Sequence, residues 1–171
     1  PGKYTLRMTL GDVISETEVT ILPNPKVVSS PEDFIAQQKM LVSIENTVKE
    51  MHESVNQMRS AKTQLSHYTK LLKDSKNVDS LIEKGKELTK RINSWEENLI
   101  QAKQKTFQDV INFNNKLNAQ LIQLKSYVDQ ANPKVTNGAK ERFDDLMKDW
   151  QVYKNERDTI INTEMKAYND L

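Results

Sequence analysis

A mainly α fold is predicted by this chain: an up-down antiparallel bundle of four helices, or of three long ones, behind an N-terminal β-hairpin. Three observations predict it. Leu41, Ile44, Val48, Met51, Val55, Met58 and Leu65 keep a three-four step, broken only by Lys62. An α-helix turns once per ~3.6 residues, so that step draws one narrow apolar stripe down one face. The first 22 residues instead alternate with period two. Finally, four glycines and 6% aromatics are too few for a barrel or a doubly wound sheet, which need more turns and thicker cores.

The hairpin comes first. Tyr4, Leu6, Met8 and Leu10 alternate with Thr5, Arg7 and Thr9, Gly11-Asp12 supplies a turn, and Val13 to Leu22 is rich in β-branched residues. A lone hairpin is marginal in water. It is therefore expected either to be the last two strands of a sandwich domain or to lean on the bundle. Pro23-Asn24-Pro25 ends the strand, because proline donates nothing to a ladder. Residues 1–28 are thus read as hairpin and linker, and 29–171 as the bundle.

Ser30 is a good N-cap, Pro31 suits the first helical position and Asp33 stands where a capping-box acid reaches back. Helix one is expected from Pro31 to about Lys73, on the order of 65 Å long. Asp74-Ser75-Lys76-Asn77 breaks it. Helix two is expected from about Val78 to Lys105, with Leu81, Leu88, Ile92, Trp95, Leu99 and Ala102 on its stripe and Gly85 at one seam position. Four asparagines between Asn112 and Asn118 predict a break. Helix three follows, carrying Leu117, Leu121, Leu124 and Val128, and stops at Asn132-Pro133. Helix four is expected from about Ala139 to Asn169, with Phe143, Leu146, Trp150, Tyr153 and Ile160 inward. If helices two and three form one rod, three helices result; if they turn back, four do.

Charge excludes several functions. The net charge is +1, from 25 basic and 24 acidic residues interspersed along the helices. A nucleic-acid binder clusters its Lys and Arg on one face with stacking aromatics, and no such cluster is present. There is no cysteine, hence no disulfide, thiol catalysis or thiolate metal site. No run of ~20 apolar residues is long enough for a membrane-spanning helix. The chain begins Pro1-Gly2 without an initiator Met and reads as an excised piece of a longer polypeptide.

No constellation for chemistry emerges, and no catalytic, cofactor-binding or metal-ligating residue is assigned. His52 and His67 stand 15 positions apart on one helix, roughly 22 Å along its axis, too far to share a metal. Glu96-Glu97, Asp144-Asp145 and Glu32-Asp33 are neighbours that point about 100° apart on a helix. They cannot face each other across a cleft as glycoside hydrolysis requires. Trp95 and Trp150 lie on apolar stripes. Core packing is the plain reading and a carbohydrate-stacking face the sharp one. Met40, Met51 and Met58 fill a core or mark an adaptable groove for a partner helix. Lys62, Asn114, Arg157 and Glu164 fall at stripe positions, where a buried charge costs several kcal/mol unless paired.

Several segments carry a family resemblance. Pro1-Gly2-Lys3-Tyr4-Thr5-Leu6 through Val19-Thr20-Ile21 resembles the closing hairpin of the β-sandwich in bacterial sortilin-like, BNR-repeat proteins labelled glycosyl hydrolases. Asn24-Pro25-Lys26-Val27 is similar to their Asp-Pro-Arg-Val exit. Gln108-Asp109-Val110-Ile111-Asn112-Phe113 with Asn115-Lys116-Leu117 is similar to their Gln-Asp-x-Leu-Asn-aromatic and Asn-Lys-Leu signature. Tyr168-Asn169-Asp170-Leu171 is similar to their closing Asn-x-Leu. Where the family has proline after the aromatic, this chain has Asn114.

The resemblance implies an exported parent, periplasmic or secreted, with an N-terminal β-propeller that would hold any hydrolytic work. It places no active-site residue in this segment. The function expected is that of a non-catalytic C-terminal helical module, a scaffold or protein-interaction surface without cofactor. Its partners would be the parent's β-sandwich and β-propeller, another protein, or a second copy. A carbohydrate-binding accessory and a self-associating coiled-coil-type module are the alternatives.

Overall fold

The computed structural model describes residues 1–171, the side chain of Phe107 excepted. It is mainly α: four principal helices follow a two-stranded antiparallel hairpin. Strands β1 (Gly2–Leu10) and β2 (Val13–Ile21) pair in unbroken register from Leu10↔Val13 to Gly2↔Ile21. Gly11 takes φ +58° in the two-residue turn, whereas Asp12 is not among the residues with positive φ. That is the sign pattern of a type II′ turn, whose first central position favours glycine and whose twist suits a hairpin.

Helix α1 (Pro31–Leu71) starts as the sequence predicts. The Asp33 amide donates to Ser30 Oγ at 3.3 Å and the Ser30 amide to Asp33 Oδ2 at 2.9 Å, a complete capping box. The helix ends two residues before Lys73. A turn follows in which Asn77 adopts φ +62°, a left-handed conformation asparagine tolerates.

Helix α2 spans Asp79–Leu99, α3 Leu117–Val128 and α4 Asn137–Thr159. Cross-helix bonds fix how they lie. Along α1, Lys62 meets Asn93, Arg59 meets Glu96, Glu45 meets Lys125 and Gln37 meets the Val128 carbonyl. The partners' numbers rise as those of α1 fall. Helices α2 and α3 therefore lie end to end, both antiparallel to α1, as one broken rod. Helix α4 returns parallel to α1, with Thr47 bonded to Met147, Glu50 to Trp150 and Ser54 to Arg157.

The molecule is thus a three-rod up-down-up bundle built from four helices. Helices two and three are separate, yet they do not turn back on each other.

The break also falls earlier than expected. Helix α2 stops at Leu99, six residues short of Lys105, and Ile100 is extended. Beyond Leu99 the stripe offers only Ala102, too small to hold another turn onto α1. The side chains of Gln101 and Gln104 instead donate to the carbonyls of Asn114 and Phe113. A 3-10 turn, Phe107–Ile111, lies inside this connection. The amides of Lys105 and Thr106 donate to Asp109 Oδ2, which holds that carboxyl below the ordinary aspartate range.

The last rod ends in a wide turn. Residues Ile160–Met165 are π-helical, and a short α5 (Lys166–Asn169) closes the chain. Up to Ile160 the inward residues step by three and four; then Glu164 and Tyr168 follow at two successive steps of four. In an α-helix each such step drifts about 40°. The wider π turn removes that drift, and Glu164 and Tyr168 stay turned toward α2. Gly85 accommodates this end: a Cβ built there would stand 3.1 Å from both Tyr168 Oη and Thr69 Oγ1. Replacing Gly85 by leucine is expected to lower stability by about 1–3 kcal/mol and to loosen residues 164–171. Thermal melts and amide exchange of that segment check it.

The core follows the stripes. Ile44, Met51, Met58, Ile92, Leu99, Leu121, Leu146 and Ile160 are fully enclosed. Each contributes about 1.5–3 kcal/mol of burial. The hairpin contributes nothing to this core: every residue of both strands is exposed. It does not lean on the bundle.

Candidate functional site

The residues singled out for chemistry are dispersed. His52 lies in the shallow groove between α1 and α3, and His67 lies on the surface edge-on to Tyr68. Glu97, Asp144 and Asp145 are exposed. Among the described residues, no three His, Asp or Glu side chains stand together as a metal site. Nor is any helix among them long and apolar enough to cross a membrane.

Trp95 and Trp150 are 1% and 0% exposed. Their indoles donate inward, Trp95 Nε1 to the Tyr153 carbonyl at 2.8 Å and Trp150 Nε1 to Glu50 Oε2 at 3.1 Å. Neither offers a face to a sugar. Met51 and Met58 are fully buried, and Met40 packs against the same core. The stripe of α1 is likewise consumed inside the bundle, so it is not free to seam a coiled coil with another chain.

The polar residues at stripe positions pair across helices. Lys62 Nζ donates to Asn93 Oδ1 at 2.9 Å and reaches Glu96 Oε2 at 3.4 Å, while Arg59 Nε donates to Glu96 Oε1 at 2.8 Å. Arg157 Nη1 donates to Ser54 Oγ at 2.7 Å. Arg91 bridges Glu156 at 2.6 Å and Glu164 at 3.6 Å. Asn114 alone of the four lies outside the helices, in the exposed connection. These pairs fix register: each joins a specific turn of one rod to a specific turn of another.

Glu96 was legible only as an acidic neighbour of Glu97, yet it is 9% exposed and ties α2 to α1 through two cations. Its removal would leave both cations unpaired, although Arg59 and Lys62 retain contact with water. Glu96→Ala is expected to cost about 1–2 kcal/mol, discounted for that exposure, measured by urea unfolding.

Glu50 sits between α1 and α4. Partial burial opposes its ionisation, but hydrogen bonds from Lys154 and Trp150, aided by the charges of Lys154 and Arg157, outweigh that and hold its carboxyl below the ordinary glutamate value. A carboxyl lowered on folding stabilises fully above its unfolded pKa, and that contribution is lost as pH falls through the folded value. The acid limb of the stability curve should therefore be shallower in Glu50→Gln than in the parent, as pH-dependent thermal melts will show.

The feature left without internal use is the hairpin. Its register sorts the side chains cleanly. One face carries Tyr4, Leu6, Met8, Leu10, Val13, Val19 and Ile21, with Ser15 and Thr17 among them; the other carries Lys3, Thr5, Arg7, Thr9, Glu16 and Glu18. The apolar side chains of the first face are exposed by 37% (Val19) to 78% (Leu10). Arg7 and Glu16 form an ion pair on the polar face. Both strands are edges, and the apolar face has no charge, proline or bulge of the kind that protects an exposed sheet from association. Contiguous apolar patches this large mark interaction sites.

Comparison with protein-family models, with curated proteins and with solved structures finds no match.

Proposed function

We propose that this chain is a non-catalytic helical scaffold that joins a β-sheet domain through its N-terminal hairpin. One observation carries the reading: the bundle consumes its stripes and both tryptophans internally, while the whole apolar face of the hairpin stays uncovered. A hairpin of this kind is marginal alone and acquires stability when a further sheet layer covers it.

The resemblance of residues 1–27, 108–117 and 168–171 to the sortilin-like, BNR-repeat proteins supports placing the module at the C-terminal end of an exported, periplasmic or secreted multidomain protein. In that setting a β-sandwich supplies the covering layer and a β-propeller does any hydrolytic work. The rod of α1, about 60 Å long, then acts as a stiff arm behind the β domains.

The purified chain, incubated with a panel of aryl glycosides with and without added divalent metals, should show no turnover above the buffer control. Turnover that survives repurification would remove the non-catalytic reading.

A further inference from the structure

The hairpin is not the only uncovered apolar surface at its end of the molecule. Its base faces the first turns of α1 across a groove of about 1280 Å³. Tyr4, Ile21 and Leu22 line one side of that groove; Phe34, Ile35 and Val42 line the other. Ile35 is 68% exposed and Leu22 78%, although both sit on elements whose other faces are ordered. Ser29 lies in the same groove, and its hydroxyl is enclosed with no hydrogen-bond partner among the described residues. An enclosed hydroxyl without a partner is costly and rare. A backbone group brought into the groove would satisfy it.

We propose that the sheet layer covering the hairpin is a wedge: it packs on the apolar face with one side and on the N-terminal turns of α1 with the other, and it bonds to the Ser29 hydroxyl. This rests on the docking role proposed above for the hairpin and adds the second wall.

Two arguments select a partner sheet over a second copy of the chain. The first is area. Strands of nine residues give a face about 30 Å by 10 Å, or roughly 300 Å². A stable interface needs about 800 Å² from each partner, so two hairpins stacked face to face fall well short. A layer that also fills the groove adds the α1 wall.

The second argument is charge. On the polar face β1 carries Lys3 and Arg7, and β2 carries Glu16 and Glu18. Symmetric pairing of like edges from two copies sets cation against cation or carboxylate against carboxylate. Pairing of unlike edges is head-to-tail and does not close.

The probe is a fluorescein-labelled synthetic hairpin with nine-residue strands, valine and isoleucine on one face and lysine and threonine on the other, closed by Asn-Gly. Fluorescence anisotropy should show saturable binding to the chain. Leu6→Lys, on the hairpin face, and Ile35→Asp, on the α1 wall, should each weaken it at least tenfold. Ser29→Ala should weaken it about fivefold. Both Leu6 and Ile35 are exposed, so unchanged thermal melts will show that the bundle stays folded.

Loss with Leu6→Lys but none with Ile35→Asp would overturn the wedge while leaving the hairpin as the docking surface. Absence of saturable binding would overturn both. Sedimentation of the chain as a dimer that Leu6→Lys dissociates would make a second copy the occupant and overturn the proposal.

Discussion

Trp150→Ala is expected to lower unfolding stability by about 3–5 kcal/mol, among the largest effects of any single truncation in this chain. Two costs combine. The indole is fully enclosed between α4 and its neighbours, and its loss leaves a cavity the rods cannot close without shifting. Its Nε1 also donates to Glu50 Oε2, whose other oxygen is held by Lys154 at 2.7 Å. Without the indole, that carboxylate keeps one partner and loses the bond that orients it. A domain of this size has roughly 5–15 kcal/mol in all, so the melting temperature should fall on the order of 10 °C. Trp150→Phe separates the two costs: it retains most of the volume and loses the hydrogen bond, and about 1–2 kcal/mol of the loss should remain. Calorimetry on the three proteins measures both.

Leu121→Asp should do comparable damage, but locally. Leu121 is fully enclosed, and an unpaired carboxylate in that position costs several kcal/mol. Helix α3 has only twelve residues, too few to persist alone in water. It is held by Leu117, Leu121, Leu124 and Val128, together with the Lys125–Glu45 pair at 2.8 Å and the Gln37 clamp on the carbonyls of Val128 and Gln130. Because the middle rod is broken between Leu99 and Leu117, the loss need not spread into α2. Amide exchange should accelerate through α3 and the first half of α1 and stay slow in α2 and the second half of α1. Uniform acceleration would mean that the two halves of the rod unfold as one unit.

The difference between these two predictions reflects what the residues alone disclose. The hairpin, the capping box at Ser30 and Asp33, and the stripes of α1 and α4 are readable because each depends on local spacing. The break in the middle rod is readable only in part. Asparagine content points to Asn112–Asn118, but the helix already stops at Leu99, where Gln101 and Gln104 bond to carbonyls of the connection itself. Such side-chain competition has no period to detect.

The π turn at Ile160 is hidden for a similar reason, since it shows only as two four-residue steps in succession. The end-to-end placement of α2 and α3 depends on which turn of α1 each one meets, and that is set by pairs distant in sequence such as Arg59–Glu96 and Gln37–Val128. Glu96 has the same character. In the sequence it is one acid beside another; its role appears only when Arg59 and Lys62 arrive from the facing helix. The hairpin's alternation could be read at once, whereas its isolation from the bundle could not, because period two states which face is apolar and not what covers it.

Residue-resolved hydrogen exchange on the chain alone, at a concentration where it sediments as a monomer, is the most direct test of an internally closed bundle with an uncovered hairpin. Amides of Ile44–Leu65, Leu88–Leu99 and Leu146–Ile160 should be the slowest, approaching global unfolding. Those of Gly2–Ile21 should exchange orders of magnitude faster despite their ladder. Hairpin amides protected as strongly as the helical core in that monomer would contradict it, because the apolar face would then already be covered by the chain itself.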